Sequence, residues 1–428
     1  MQRAFSTRLP RFAMTLLAGA MAAPAMASPP PFMDVRSMGM AGTGVASARP
    51  SAAAYHNPAL LSVKQRDWQN DFAVTLPGVY GRFADEEDVP DQVDVIQQTI
   101  QDLDNSINQG DPQQAREDAG RLADQLEAVD EDTMRVDAGA GLNVAKPGLD
   151  RGLGFHMGGR LRATVQGNIS QNDIERLRNI ENNTVNFADF NRNELESRGR
   201  VMATAVLETG ITFSTQADFA GQRIAIGITP KYMQLRTFDY IENVDDFEDN
   251  EFDASEHETT KNGFNLDLGA ALQAGDRDQW LYGVSVRNVI PMDLKGRERP
   301  TDLVGGQLPG EQGQATMELR PLITAGVAYT SRFASLSAEM DLTRTRSFGP
   351  EAETQWLALG GEINVIDWIN LRGGIRQNLA SDTGADGIEE KTQYSAGLAL
   401  SPWALRIELG ALYSDQELGA SAELGVAF

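Results

Sequence analysis

The sequence predicts an all-β fold: a transmembrane antiparallel β-barrel of about 14 strands, with an N-terminal plug and helical outer loops. Three observations predict it. From about residue 198 onward the apolar residues alternate with polar ones, as in Val201, Ala203, Ala205 and Leu207, or Leu336, Ala338, Met340 and Leu342. The opposite face carries Glu208, Asp267, Arg287, Glu339, Glu362, Arg372, Arg376, Arg406 and Glu408. The connections between these segments are alternately long and short, the parity of a barrel with short periplasmic turns and long outer loops.

The first element is a leader at residues 1–27. Arg3, Arg8 and Arg11 form a positive region, residues 15–23 an apolar one, and Ala25-Met26-Ala27 a small-residue cleavage site. Export follows, with cleavage near Ala27, and the chain has no cysteine, which excludes disulfides and thiolate metal sites.

Residues 28–69 come next. Their stretch "GMAGTGVASARPSAAAYHNPALL", residues 39–61, is too rich in small residues for a conventional core helix and too apolar for a free linker, and Asn57-Pro58 is a turn signal. It precedes the first strand, so it starts at the periplasmic end of the barrel and is free to fold into a lumen that 14 strands leave too wide for wall side chains alone to fill. A plug is the natural reading, with Gly39, Met40, Gly42 and Gly44 in its small-residue part.

The barrel occupies residues 70–428. Its predicted strands are 70–83, 133–146, 151–167, 198–215, 221–239, 262–274, 279–290, 320–330, 333–344, 354–365, 368–378, 391–400, 403–414 and 418–428. Trp280, Tyr282, Trp356, Trp368, Tyr394, Trp403 and Tyr413 lie near strand ends, where amphipathic rings suit a membrane interface. The last strand places Leu424, Val426 and Phe428 in phase, with Glu423 out of phase, the pattern of a barrel-assembly signal read by the assembly machinery. Within the first outer loop, residues 92–129 change period. Ile96, Ile100, Leu103 and Ile107, then Ala115, Ala119, Leu122, Leu126 and Val129, predict two antiparallel amphipathic helices. Their stripes can bury each other or form a lid that meets a hydrophobic ligand or partner.

Other chemistry is not signalled. With 61 acidic against 37 basic residues the net charge is -24, which would repel nucleic acid. The acidic run at 242–258 lacks the central glycine of a calcium loop and reads as a solvated loop. His56, His156 and His257 are far apart, and there is no Gly-x-Ser-x-Gly elbow, His-Glu-x-x-His helix or phosphate loop. No enzyme, cofactor or metal is expected.

"MDVRSMGMAGTGVASARPSAAAYHNPALL" resembles the N-terminal hatch of the FadL-type outer-membrane transporters of hydrophobic compounds, and the chain is more similar still to the conjugal transfer TraF-like group. "FNLDLGAAL", "AEMDLTRT", "WLALGGEINVIDWINLRGGIRQNLA" and "LRIELGALYS" extend the resemblance over most of the mature chain. It implies a hatch with Asn57, Pro58 and Ala59 at its turn, a Gram-negative outer-membrane location in contact with lipid, and passive uptake or binding of hydrophobic small molecules. The alternative it implies is a non-transporting outer-membrane component of a transfer or secretion apparatus.

Overall fold

The computed structural model describes residues 34–65, 72–85, 89–130, 132–187, 190–219, 221–243, 257–297, 315–346, 348–349, 351–366, 368–380 and 387–427. The leader and its cleavage site, Phe428, and residues 244–256 of the acidic run lie outside the described residues.

Alternating sequence becomes wall. The strands are β1 (Ala73–Asp85), β2 (Thr133–Lys146), β3 (Gly152–Asn168), β4 (Arg198–Phe219), β5 (Gln222–Asn243), β6 (Glu258–Ala274) and β7 (Trp280–Arg287). After a short pair, β8 (Met292–Lys295) and β9 (Thr316–Leu319), come β10 (Leu322–Thr330), β11 (Ala334–Asp341), β12 (Trp356–Ile366) and β13 (Ile369–Asn378). The last are β14 (Gln393–Leu400), β15 (Leu405–Tyr413) and β16 (Glu417–Ala427). All but β8 and β9 form a closed antiparallel barrel of 14 strands, each paired with its neighbour in order, and β16 pairs back onto β1 through registers such as Tyr80 to Ser421. In hydrocarbon an unpaired N–H or C=O costs several kcal/mol, on the order of a lost hydrogen bond in an apolar medium, so closure is what permits such a sheet to stand in a bilayer.

The two faces separate by parity. Outward positions such as Leu207, Ile211, Phe213, Leu357, Leu359, Ile363 and Leu424 are exposed, whereas Glu339, Glu362, Arg372, Glu408 and Glu423 turn inward and are buried. Trp280, Tyr282, Trp368, Tyr394, Trp403 and Tyr413 are exposed, in keeping with interfacial rings. Trp356 is a correction. It points inward, where the Arg376 guanidinium lies 4.1 Å from its ring centroid, because its position in β12 shares the parity of Glu362.

One wall segment is irregular. The pairing of β1 with both β16 and β2 is interrupted just beyond Thr75, around Leu76 and Pro77, since proline has no N–H to offer a ladder.

The outer loops carry the helices. Val89–Gln109 and Pro112–Val129 are joined through Gly110, at φ +70, and Asp111 caps the second helix by accepting from the N–H groups of Gln113 and Gln114, both 3.1 Å away. Their stripes bury each other together with a third helix, Gln171–Glu181, whose Ile174, Leu177 and Ile180 complete the cluster. Among the described residues these stripes are turned toward one another. The long connection between β7 and β10 contains the antiparallel β8–β9 pair. Its Met292, Leu294, Met317 and Leu319 cover Met202, Val206, Met233 and Leu235 of β4 and β5.

The outward face generates a prediction. Leu359, half-exposed near the middle of β12, faces lipid. Leu359→Arg should lower the unfolding free energy in lipid vesicles by about 2–4 kcal/mol, the cost of a cation near the bilayer midplane. Urea titration followed by heat-modifiable gel mobility would measure it.

Candidate functional site

The first described residues, 34–65, form no part of the wall. They run as two short helices, Val35–Met38 and Ala53–His56, and two 3-10 turns, Pro50–Ala52 and Pro58–Ser62, and almost every side chain is buried. Their contacts fall on opposite sides of the barrel, with β5 and β6 at one side and with β14 and β15 at the other, so the segment crosses the lumen.

Close approach is possible because the wall is glycine where the segment touches it. A Cβ on Gly227 would meet the Pro58 carbonyl carbon at 2.3 Å, and one on Gly283 would meet Val45 O at 2.3 Å. Gly269, Gly360 and Gly374 are equally filled by Asn57, Met40 and Ala41. At Gly39 the segment's own glycine meets Gly397, Cα facing a virtual Cβ at 3.0 Å.

Most of the segment's polar groups are met, Ser47 Oγ being a buried exception among the described residues. Asp34 caps the first helix through the N–H groups of Arg36 and Ser37, each 3.1 Å away, and its Oδ2 lies 2.9 Å from His56 Nε2. Burial pushes the Asp34 carboxyl up. The hydrogen bond and charge interaction with His56, with Arg36 adding to them, outweigh that effect and hold it below the ordinary carboxylate value. Ala41 N donates to Ser395 Oγ at 2.8 Å. Glu339 accepts from Gly44 N at 2.7 Å and Ala46 N at 3.2 Å, so its carboxylate sits in a nest of backbone donors. Asn57 donates to Val45 O at 2.9 Å and to Ala270 O of β6 at 3.1 Å, while its Oδ1 accepts from Ala59 N at 3.1 Å. That one amide ties the segment to itself, caps the turn beginning at Pro58, and ties both to the wall.

The strongest attachment is ionic. Arg36 Nε lies 3.1 Å from Glu362 Oε2, and Arg49 Nη2 lies 3.0 Å from Glu362 Oε1. Arg49 Nη1 is 3.6 Å from Glu408 Oε1. Arg372 holds the same two carboxylates from the wall, at 2.6 Å to Glu362 and 2.8 Å to Glu408, and Arg406 also pairs with Glu408. Arg36, Arg49, Arg372, Glu362 and Glu408 are buried and Arg406 is half-buried, so removing either carboxylate would leave buried guanidiniums uncompensated at a cost of about 3–5 kcal/mol.

The predicted positions are therefore placed as follows. Gly39, Met40 and Gly44 touch the wall or its carboxylate, Gly42 takes φ +89 in the turn after the first helix, and Asn57, Pro58 and Ala59 meet β5 and β6. Leu424 and Val426 sit on β16, apart from this group. Sequence reasoning missed Arg36 and Arg49 as anchors. The signal was present: two arginines in a segment of small residues bound for a lumen require carboxylate partners. His156 lies against Tyr55, with ring centroids 5.3 Å apart, and Arg287 donates to Tyr55 O at 3.1 Å.

The cavity beside the segment is small, about 50 Å³, and among its lining are His56, Arg287, Glu339, Asp341 and Arg376. No three His, Asp or Glu side chains among the described residues are grouped to hold a metal ion.

The family model described as "F plasmid transfer operon, TraF, protein" matches residues 54–341, more than half of the 428-residue chain. No curated protein matches the chain in sequence. Among solved structures it is similar to the toluene transporter TbuX of Ralstonia pickettii, at 10% identity and TM-score 0.53 over 92% of this chain and 98% of that one. It is also similar to a TodX deltaS2S3 mutant monoaromatic hydrocarbon channel, at 13% identity and TM-score 0.52, again over 92% and 98%. A FadL homologue of Pseudomonas aeruginosa matches at 12% identity and TM-score 0.50, over 95% and 98%. At these identities the likeness is one of fold, a closed 14-stranded antiparallel barrel.

Two predictions follow from the packing of the segment. Gly283→Val should expel residues 34–65 from the lumen while the barrel stays folded, which limited trypsin digestion would read as new cleavage after Arg36, the Arg49–Pro50 bond being resistant to trypsin. The second concerns pH. Asp34 has a depressed folded-state pKa, so its contribution is fully present above the ordinary carboxylate value near 4 and is lost as pH falls through the lower folded value. Hydrogen exchange of residues 34–56 should accelerate as pH is lowered from about 4, after correction for intrinsic rates. Asp34→Asn should remove most of that dependence.

Proposed function

The chain belongs to the family described as the F plasmid transfer operon TraF protein, and from that premise we propose that it is a gated outer-membrane pathway for small hydrophobic molecules, closed by its own N-terminal segment. What carries the reading is the mode of attachment. Residues 34–65 are held to the wall by reversible contacts: the Arg36, Arg49, Glu362 and Glu408 cluster, the Glu339 nest and the Asn57 amide. Such a segment can leave without unfolding the sheet, because no strand of the barrel depends on it for pairing. The printed descriptions of the similar barrels, a toluene transporter and a monoaromatic hydrocarbon channel, favour an apolar small molecule as the cargo. The outward apolar belt places the barrel in a bilayer, and a Gram-negative outer membrane accords with its architecture.

A second reading, a non-transporting component attached to a transfer or secretion apparatus, draws on the family's description and on the charged lining of the cavity beside the segment. The two readings part on whether releasing the segment opens a route.

The test is single-channel conductance in planar bilayers, with heat-modifiable mobility as the control for folding. The intact chain should be closed, and deletion of residues 39–61 should give a steady pore. The double substitution Arg36→Ala, Arg49→Ala should make openings about a hundredfold more frequent, the factor that about 3 kcal/mol supplies. Vesicles containing the double variant should then take up a monoaromatic hydrocarbon faster than vesicles containing the intact chain. If all forms stay closed, transport is abandoned for the anchoring role.

A further inference from the structure

A larger cavity, about 400 Å³, opens at the short-turn end of the barrel, between Arg49 of the N-terminal segment and the turns joining β10 to β11, β12 to β13 and β14 to β15. Its volume is that of a small-ligand site. Its polar lining consists of Arg49, Arg332, Asn364, Asn370, Ser401 and Arg406, with no carboxylate among the described lining residues. In a chain of net charge -24 this is a local reversal of sign.

The lining carries unused donors. Arg406 Nη2 and Ser401 Oγ are buried and have no hydrogen-bond partner among the described residues. Arg332 is exposed, stands 5.7 Å from the Phe333 ring centroid, and has no ion pair among the described residues. Guanidinium donors form a rigid planar fork that matches the oxygens of a phosphate, and a serine hydroxyl adds a further donor. Phe333 and Trp403, exposed at 68% and 99%, also line the cavity, at the level where amphipathic rings meet lipid headgroups.

We propose that this cavity binds a phosphate-type oxyanion, presented either by a phospholipid headgroup or as a free phosphate. The site is coupled to the segment that crosses the lumen. Arg49 and Arg406 are the groups that also hold Glu408, and Arg49 holds Glu362 as well. An oxyanion in the cavity competes with those carboxylates for the same guanidiniums, so its binding weakens the anchorage of the segment from the short-turn side. Arg332 and Ser401 contact the oxyanion without taking part in the anchoring cluster, which makes them the clean positions to change.

The test uses the full mature chain in a phosphate-free, non-ionic detergent, with heat-modifiable mobility confirming that each variant is folded. Isothermal titration with inorganic phosphate should show saturable single-site binding that Arg332→Ala weakens about tenfold and that Arg332→Ala with Ser401→Ala weakens further. Native mass spectrometry after adding phosphatidylglycerol forms the second arm and should show one retained lipid, lost in the same variants. Binding of both ligands, each weakened by the substitutions, supports the shared subsite. Phosphate alone assigns it to a soluble source, and lipid alone to a headgroup. Trypsin cleavage after Arg36, in the same anchored segment, should quicken when the ligand is bound. The proposal is overturned if neither ligand binds, or if binding is indifferent to Arg332→Ala and Ser401→Ala.

Discussion

The pairing of β16 with β1 is the constraint on which the molecule depends. A sheet in hydrocarbon cannot keep an open edge, and once the edges meet the wall encloses a space that fourteen strands make too wide for its own side chains. That space is then filled from two directions. Chain that precedes the first strand enters from one end, and the β8–β9 hairpin packs onto β4 and β5. The sheet is continuous without either filling, which is why the lumen can be occupied by contacts weaker than a strand ladder.

Filling a lumen with backbone rather than side chains places opposite demands on the two surfaces. The wall must give up its Cβ atoms, and it does so at Gly227, Gly269, Gly283, Gly360 and Gly374, each beside a residue of the segment. The segment must then satisfy every polar group that water no longer reaches. Asn57 shows the economy of this arrangement, since one buried amide serves the segment, the turn and the wall together. Charges follow the same logic. Inward carboxylates and guanidiniums occur as clusters, as where Lys231 lies 3.1 Å from Glu208 and 2.9 Å from Asp267, because an isolated charge facing the lumen would be destabilising.

Most of this architecture was legible from alternation and loop parity, which are local and repeat along the chain. The strand count, the inward parity of Glu362 and Glu408, and the first two outer helices all rest on such short-range signals. Two further signals were present but unused. Ile174, Leu177 and Ile180 after the Ser170 cap carry a helical period, and Arg36 and Arg49 are two guanidiniums in a segment of small residues bound for the lumen. What could not be read was pairing at a distance. Nothing near Arg36 names Glu362, 326 positions away, and nothing near Met292 names Met233. The inward turn of Trp356 was missed for a related reason: its place near a strand end suggested the interface, but strand parity decides which face a ring occupies.

The separation between Arg36 and Glu362 also bears on the order in which the molecule is made. The segment is synthesised before any strand, while the carboxylates it binds belong to β12 and β15 and are completed near the end of the chain. Contacts of such long range carry a large loop-closure cost. The N-terminal residues thus remain without their partners until the last hairpins are in place. Their docking waits on β12 and β15, and a barrel left incomplete at its C-terminal strands would leave its own beginning undocked.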